Sequence, residues 1–152
     1  EDVAASGGYW LACSADEIYA DINSIVGSIG VISGGFGFTE LIKKIGVERR
    51  IFTAGDNKSF LDPFEKINKK DEIKLKNLQK QIHQNFIDWV LTRRKRKIKE
   101  KDNKTVFSGS FWLSSEAKNL GLIDGVGNAH EILKEKFGEN VIIKKFEKSK
   151  GC

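Results

Sequence analysis

The sequence predicts an α/β fold, and three observations point to it. Residues 25–32 are almost entirely apolar, as in a parallel strand that is covered on both faces. Residues 71–97 carry apolar side chains at intervals of three and four, the pattern of a long helix with one buried face. Short predicted strands and helices alternate around these two segments, so we expect helices packed on a sheet.

The first third of the chain predicts short elements separated by glycines. Residues 4–13 are small and then bulky apolar, dense enough to be buried on nearly every side, and we expect a helix to begin near Ser6. Gly46 is suited to end a helix, because glycine adopts the left-handed conformation found there. The other elements expected here are strands at 17–20, 25–32 and 47–52 and a helix at 38–45.

The rest of the chain predicts more helix than strand. After a polar loop at 53–63 we expect the long helix at about 71–97, with its lysines on the exposed face. Asn128 is a good N-cap for a last helix that ends at Phe137, and we place a C-terminal helix and strand within about 128–146. The remaining expected elements are a turn at 102–104, strands at 105–107 and 141–146, and a short helix from Ser114 to Gly121.

Length and composition describe one soluble globular domain. The chain has 152 residues, 39% of them hydrophobic and 31% charged, which excludes collagen-like, low-complexity and disordered classes. No stretch approaches the roughly 20 apolar residues that cross a bilayer. The sequence contains no methionine, so we expect that residue 1 is not a natural start and that any membrane anchor would precede it.

Cysteine and charge patterns give no sign of a metal or cofactor. Cys13 and Cys152 lie at opposite ends of the chain, which supports neither a metal site nor a disulfide framework. The net charge of +5 is concentrated in residues 61–104, which hold 14 basic and 7 acidic side chains. Its peak, residues 93–97, is either a phosphate-binding patch or the solvated end of a helix. We favour the second, because no aromatic side chains are interleaved with the run.

A serine followed by two glycines is the sharpest local feature. A Ser6 at the start of a helix would lie beside unpaired backbone N–H groups, and Gly7 would donate to a developing oxyanion. From spacing alone, an ordinary serine N-cap explains the pattern better. The segment does not match the lipase-type nucleophile elbow, because Ala4 stands where that motif has glycine.

A nucleophilic serine needs a base, and the two histidines are poor candidates. His83 lies on the long predicted helix and His130 in the first turn of the last one, so both are expected on the surface. A lysine held in a dry site can serve instead. Spacing cannot choose among 21 lysines, although Lys58 stands apart from the basic runs.

The glycine-rich stretch 27–37 does not predict a nucleotide site. It lacks the third glycine of a dinucleotide fingerprint and the Gly-Lys-Ser/Thr end of a phosphate loop. Tight turns and close strand packing explain the glycines better.

Five short motifs occur along the chain: AASGGY at 4–9, VGSIGV at 26–31, TAG at 53–55 with Lys58, FSG at 107–109 and AKNLGLID at 117–124. Together they resemble the protease IV, or signal peptide peptidase A, family of serine peptidases, and within it the SohB-like members. The resemblance follows the family's order and spacing over essentially the whole chain.

The resemblance implies a role for four residues. Ser6 matches the nucleophile and Gly7 the residue whose N–H forms half of the oxyanion hole. Lys58 matches the general base of a Ser/Lys dyad, and Ser28 matches the hydroxyl that orients that lysine. It also implies the ClpP/crotonase fold of repeated β-β-α units, with no metal and no cofactor.

The implied function is a serine endopeptidase that cleaves extended peptides, such as signal peptides or membrane-protein fragments. Members also carry strands before the nucleophile that complete the oxyanion hole, and many carry an N-terminal membrane anchor. We therefore interpret residues 1–152 as a single, incomplete catalytic domain that is weak or inactive alone. A bacterial inner-membrane location is expected if the anchor exists, and a soluble one otherwise.

Two alternatives stay open at this point. The chain could be a non-catalytic ClpP/crotonase-fold assembly or binding module that acts through its long basic helix. Because family members form rings or domes, that helix would serve a homo-oligomer rather than nucleic acid. A crotonase-type acyl-CoA enzyme fits less well, since Ser6 and Lys58 suit a hydrolytic dyad.

Overall fold

Two small sheets and six α-helices make up the part of the chain that the structure, a computed structural model, describes: residues 2–55, 58–94 and 96–144. The predicted α/β class is confirmed. The strands are β1 (Val3–Ala5), β2 (Tyr19–Ala20), β3 (Ile25–Gly27), β4 (Phe111–Leu113) and β5 (Gly125–Val126). The helices are α1 (Gly7–Ala12), α2 (Thr39–Lys44), α3 (Lys69–Arg94), α4 (Asn103–Val106), α5 (Ser114–Asn119) and α6 (Ala129–Phe137), and a 3₁₀ turn spans Glu100–Asp102.

The larger sheet has the order β1-β3-β4. β1 and β3 run parallel, with Ala5 opposite Gly27, and β4 pairs antiparallel with β3, with Phe111 opposite the same glycine. β2 and β5 form a separate parallel pair. Because Ala5 and Gly27 end neighbouring parallel strands, the residues that follow them emerge at one edge of the sheet.

A single core joins this sheet to α1 and α3. The side chains of Tyr9 and Val90 are completely buried, and Phe86 is 4% exposed. Every buried described residue falls within residues 2–30 and 69–126, which we call the body. The other apolar members of the core are Cys13, Ile18, Ala20, Val26, Ile29, Ile98, Val106, Trp112, Ala117, Leu122 and Ile123.

Helix α3 spans Lys69–Arg94, close to the predicted 71–97. The Asn68 side chain starts it by accepting a hydrogen bond from the Asp71 N–H at 2.8 Å. Phe86, Val90 and Arg94 recur every four residues and form its buried stripe. Beyond its last residue, the backbone N–H groups of Lys97 and Ile98 both donate to the Arg94 carbonyl, at 2.8 and 3.0 Å.

Four elements predicted in the first half of the chain are present, but their lengths or their burial differ from the prediction. The strand at 25–32 stops at Gly27, where φ of +111° turns the chain. The predicted strand at 17–20 is limited to β2. The helix near Ser6 exists, but Leu11 is 73% exposed, so the prediction that it is buried on nearly every side was wrong. The helix at 38–45 is confirmed as α2, and Gly46 ends it with φ of +71°.

Three predicted strands are not found among the residues that the structure describes. Residues 47–52 form no strand, because no described segment pairs with them. Residues 105–107 lie at the end of α4 and just after it. Residues 141–144 are not in a strand, and 145–146 lie outside the described residues. The helices that open at Ser114 and at Asn128 are confirmed, whereas β1, β4 and β5 are strands that the sequence did not predict.

Residues 31–68 form a second region, which we call the arm. None of its described residues is buried. The rings of Phe38 and Phe64 lie 5.6 Å apart, and the Phe38 N–H donates to the Pro63 carbonyl at 2.7 Å. The Arg49 guanidinium donates twice to the Asp62 carboxylate, at 3.0 and 2.5 Å. The arm is therefore organised mainly by its own side chains.

Candidate active site

Ser6 sits in a strained turn between β1 and α1. Its φ of 51° and ψ of −122° are unfavourable for a residue with a Cβ. Two backbone hydrogen bonds hold it there: its N–H donates to the Gly27 carbonyl at 2.8 Å, and its own carbonyl accepts from the Trp10 N–H at 3.0 Å. A strained serine between a strand and a helix is the arrangement of a nucleophile elbow, despite Ala4 in place of glycine.

The Ser6 hydroxyl does not cap α1. No described N–H of the helix donates to it, and the residue is exposed. The N-cap interpretation that spacing favoured is therefore wrong. Gly7 is also exposed, and a Cβ at this position would meet nothing within 4 Å. The start of the helix is open to an incoming group.

Ser28 occupies a second strained turn next to the first. It follows β3 as Ser6 follows β1, and its φ is 53°. Its N–H donates to the Ser110 carbonyl at 2.7 Å, and its carbonyl accepts from the Gly30 N–H at 3.0 Å. Glycine is required at 27, because a Cβ there would lie 2.8 Å from the Trp112 ring. The parallel register of β1 and β3 thus brings two strained serines to one sheet edge.

A cleft of about 580 Å³ opens over both turns. Ser6, Gly7 and Ser28 all line it, so the structure brings three of the four predicted site residues together. Its wall is mostly apolar. The other lining residues are Trp10, Gly30, Val31, Ile32, Ile82, Phe86, Ser108 and Gly109.

Lys58 lies outside this cleft. It is exposed on the arm, its N–H donates to the Gly55 carbonyl at 3.3 Å, and it is not among the described residues that line the cleft. Its neighbours Asp56 and Asn57 lie outside the described residues. The Ser6/Lys58 dyad therefore stays a prediction.

Some cleft residues were missed by the sequence analysis. Ile82 and Phe86 looked like ordinary members of the buried face of a helix, and Trp10 like a core residue. Ser108 was noted only as part of a motif; its hydroxyl donates to the Thr105 carbonyl at 2.7 Å. No local signal marks these residues, because the cleft forms from segments far apart in sequence.

The histidines differ from each other. His130 is exposed, as predicted. His83 is half-buried, and its Nε2 lies 3.1 Å from the Ile29 carbonyl oxygen, so its prediction as a surface residue was wrong. The contact spans 54 residues of sequence and is invisible in the helix pattern.

The basic run at 93–97 fits the predicted solvated helix end in part: Arg93, Arg96 and Lys97 are exposed, whereas Arg94 is buried. Arg93 donates to the carbonyls of Cys13, Ser14 and Ala15 at 2.9–3.2 Å, which satisfies groups at the end of α1. The Arg94 side chain is 2% exposed and pairs with Asp124 at 2.6 Å. Residue 95 lies outside the described residues. Arg93 therefore connects α3 to the end of α1, and Arg94 connects α3 to the segment before β5.

Asp124 is the electrostatic centre of this fastening. Its carboxylate accepts hydrogen bonds from Arg94, from Lys97 and from the Ile18 N–H. Burial alone would raise the pKa of Asp124, but these donors outweigh it and hold the pKa at about 2. Nearby, the buried Tyr9 hydroxyl donates to the Leu122 carbonyl at 2.7 Å, and burial raises the pKa of Tyr9.

No metal cluster or membrane helix is found among residues 2–55, 58–94 and 96–144. No three His, Cys, Asp or Glu side chains there are grouped to hold a metal ion. Cys13 is a buried free thiol whose pKa is raised by burial, and Cys152 lies outside the described ranges. None of the helices described is both long and apolar enough to span a bilayer.

Comparison with known proteins matches this chain to a peptidase family. The model of peptidase family S49 matches residues 1–140. The putative protease MJ0651 of Methanocaldococcus jannaschii is 33% identical over 137 residues, which are 89% of this chain and 43% of that protein. The probable protease SohB of Buchnera aphidicola subsp. Acyrthosiphon pisum is 31% identical over 144 residues, 95% of this chain and 42% of that protein.

A further relative carries a different name. A protein of Brucella abortus (strain 2308) called Na(+)/H(+) antiporter NhaA is 53% identical over 151 residues, which are 99% of this chain but 20% of that protein. The chain thus spans between a fifth and somewhat over two fifths of these relatives. The strained Ser6 turn, the adjacent Ser28 turn and the match over residues 1–140 lead to one conclusion: this chain belongs to peptidase family S49, with the SohB-like proteases.

Proposed function

We propose that this chain serves a serine endopeptidase in which Ser6 is the nucleophile and Lys58 the general base. The observation that carries the proposal is the strained Ser6 turn, whose hydroxyl caps nothing and faces a cleft shared with Gly7 and Ser28. Strain of this kind persists only where the surroundings enforce it, and it is concentrated at functional sites. Membership of family S49 gives the turn its chemical meaning.

Peptide cleavage then follows in two steps. The neutral amine of Lys58 takes the Ser6 hydroxyl proton while the oxygen attacks the peptide carbonyl, and the Gly7 N–H stabilises the oxyanion. Lys58 gives the proton to the leaving amine, which departs and leaves an acyl ester on Ser6. Water, deprotonated in turn by Lys58, hydrolyses the ester and restores the serine.

Lys58 must reach Ser6 for this chemistry, and we place that task on the arm. The Ser28 hydroxyl beside Ser6 is well placed to accept a hydrogen bond from the arriving amine and to orient it. The arm contains no buried described residue, so its docking on the body costs little internal packing. Lys58 is thus the base of the Ser6/Lys58 dyad, and Ser28 is the group that positions it.

The finer fold belongs to the same proposal. Parallel pairing of β1 with β3, each followed by a turn at the sheet edge, is what a ClpP/crotonase unit requires. Repetition of such units would supply the strands that complete the sheet.

Extended peptides with apolar or small side chains are the proposed substrates, signal peptides and membrane-protein fragments among them. The wall of the cleft supports this class, since Trp10, Val31, Ile32, Ile82 and Phe86 face it. When an apolar side chain of the peptide binds there, apolar surface is removed from water, which favours binding.

Hydrolysis of a fluorogenic apolar peptide by the full-length gene product that contains these residues tests the dyad. We expect Ser6→Ala and Lys58→Ala each to reduce kcat/KM by at least about a hundredfold, since a positioned base alone contributes that much. Lys66→Ala is the matched control, because it removes another exposed lysine of the arm. Full activity in Lys58→Ala would contradict the assignment of the base.

A binding or assembly module is the second candidate, and the arm favours it. Ile32, Phe36 and Phe52 are 81–93% exposed, more apolar surface than a monomer needs. We propose a second copy of this chain as the partner, and no nucleic acid, since Arg93 and Arg94 are used internally. Sedimentation of wild type against Phe36→Ser tests it: equal monomer behaviour in both would remove this candidate.

A further inference from the structure

We propose that His83 is a positioning residue that holds the Ser28 turn in its strained conformation, an inference that rests on the proposed function of Ser28. His83 lies on α3 and acts on Ser28 indirectly, through the backbone of the neighbouring residue. Its contact is with Ile29, the residue that follows Ser28.

Only His83 can be the donor in this hydrogen bond. The Ile29 carbonyl oxygen can only accept, so the His83 Nε2 at 3.1 Å carries a hydrogen and donates it. The Ile29 side chain is completely buried in the core, and His83 is half-buried. Core packing thus already fixes the Ile29 side chain, and the hydrogen bond from His83 additionally fixes the orientation of the Ile29 carbonyl.

That carbonyl lies between two residues of the cleft. Ser28 precedes it and Gly30 follows it, and both line the cleft. At the next residue, a Cβ on Gly30 would lie 3.0 Å from the Gly109 Cα, so the backbone there has little room. The Gly109 contact and the His83 bond both restrict the backbone of this turn.

Confinement is needed because φ of 53° is unfavourable for serine. The Ser28 N–H is held by the Ser110 carbonyl, and the Gly30 N–H by Ser28 itself. Neither bond fixes the peptide carbonyl of Ile29. Without His83 the turn is free to relax, and the Ser28 hydroxyl loses its direction toward the base.

Serine labelling by a fluorophosphonate, carried out on the full-length gene product that contains these residues, measures this effect. We expect His83→Leu to lower the saturating rate of Ser6 modification about tenfold, while the probe concentration for half-maximal rate stays within about twofold. His83→Gln retains a donor at the same reach and restores the rate to within about threefold of wild type. Gln81→Leu, an exposed change on the same helix, leaves it unaltered. Equal labelling rates in wild type and His83→Leu would overturn the inference.

Amide hydrogen exchange separates this inference from the proposed function. We expect His83→Leu to speed exchange at the Ser28 and Gly30 N–H groups about tenfold relative to the Val26 N–H of β3, whereas His83→Gln does not. A general loss of stability would speed all three alike and would count against a positioning role. If wild type fails to label at Ser6, the proposed function falls, and exchange at Ser28 and Gly30 alone decides the role of His83.

Discussion

The body and the arm solve the problem of holding a functional residue in different ways. In the body, Ser6 and Ser28 adopt positive φ angles that core packing, strand register and specific hydrogen bonds enforce. In the arm, Lys58 lies on an exposed turn within a region that has no buried described residue. The arm also holds one non-glycine residue with a positive φ, Leu61 at 56°, but both strained residues that line the cleft lie in the body, where core packing supports their turns.

This difference indicates that Ser6 is the preorganised member of the proposed dyad. A strained nucleophile turn costs of order 1–3 kcal/mol. In the body, strand register, hydrogen bonds and core packing together offset that cost. A base delivered by a surface segment needs no such support, but it depends on docking. Substitutions of the same type should consequently have large effects in the body and small ones in the arm.

The largest expected difference concerns glycine. Gly27→Ala should lower the free energy of unfolding by about 4 kcal/mol, because the new Cβ would meet the Trp112 ring at 2.8 Å at a φ of +111°. Gly34→Ala in the arm should change it by less than about 0.5 kcal/mol, since nothing lies within 4 Å. Urea denaturation of the two variants compares them directly. Equal midpoints would contradict the contrast.

Arginine provides the second comparison. Arg94→Leu should lower the free energy of unfolding by about 3 kcal/mol, because it removes a buried partner from the part-buried Asp124 carboxylate. Arg50→Leu should have no measurable effect, since Arg50 and its partner Glu48 are each 72% exposed. Thermal unfolding monitored by circular dichroism tests both. A lower stability of Arg50→Leu than of Arg94→Leu would be the opposite of the expected order.

Acid should loosen the body through the same carboxylate. The pKa of Asp124 is lowered from 3.8 to about 2 by its donors, so its stabilisation is complete above pH 3.8 and is lost as pH falls toward 2. That stabilisation is roughly 2 kcal/mol. Asp124→Asn should therefore flatten the loss of stability between pH 5 and pH 2 by about this amount. A pH profile identical to wild type would exclude Asp124 as the group responsible.

The smallest effect on stability is expected at the arm's surface. Phe52→Ser should change the free energy of unfolding by less than about 0.5 kcal/mol, because the ring is 93% exposed. If the arm contacts a second copy, the same change should lower self-association. Chemical denaturation and sedimentation of one preparation measure both quantities, and a destabilisation as large as that of Gly27→Ala would show hidden packing.

Local sequence signals predicted part of this molecule. The Ser-Gly-Gly pattern at Ser6, the N-cap at Asn128 and the helix end at Gly46 are decided by neighbours in the chain, and the structure bears them out as helix boundaries. The resemblance to serine peptidases, confirmed by the family match, added Ser28 and Lys58 as candidates.

Long-range contacts account for what the sequence did not predict. Arg93 finds its partners 77 to 80 residues away and His83 finds its carbonyl 54 residues away, so neither role is visible in helix periodicity. The segment 47–52 has the composition of a strand, yet strand formation requires a neighbour, and no described segment provides one. The strain at Ser6 likewise arises from the register of β1 against β3.

Mapping the adduct of a fluorophosphonate probe tests the central claim most directly, because Ser6, Ser28 and Ser108 all line one cleft. Mass spectrometry of the digested protein distinguishes the three serines. We predict modification at Ser6 alone, and none in Ser6→Ala. Modification of Ser28 or Ser108, or persistent cleft labelling in Ser6→Ala, would contradict the assignment of the nucleophile.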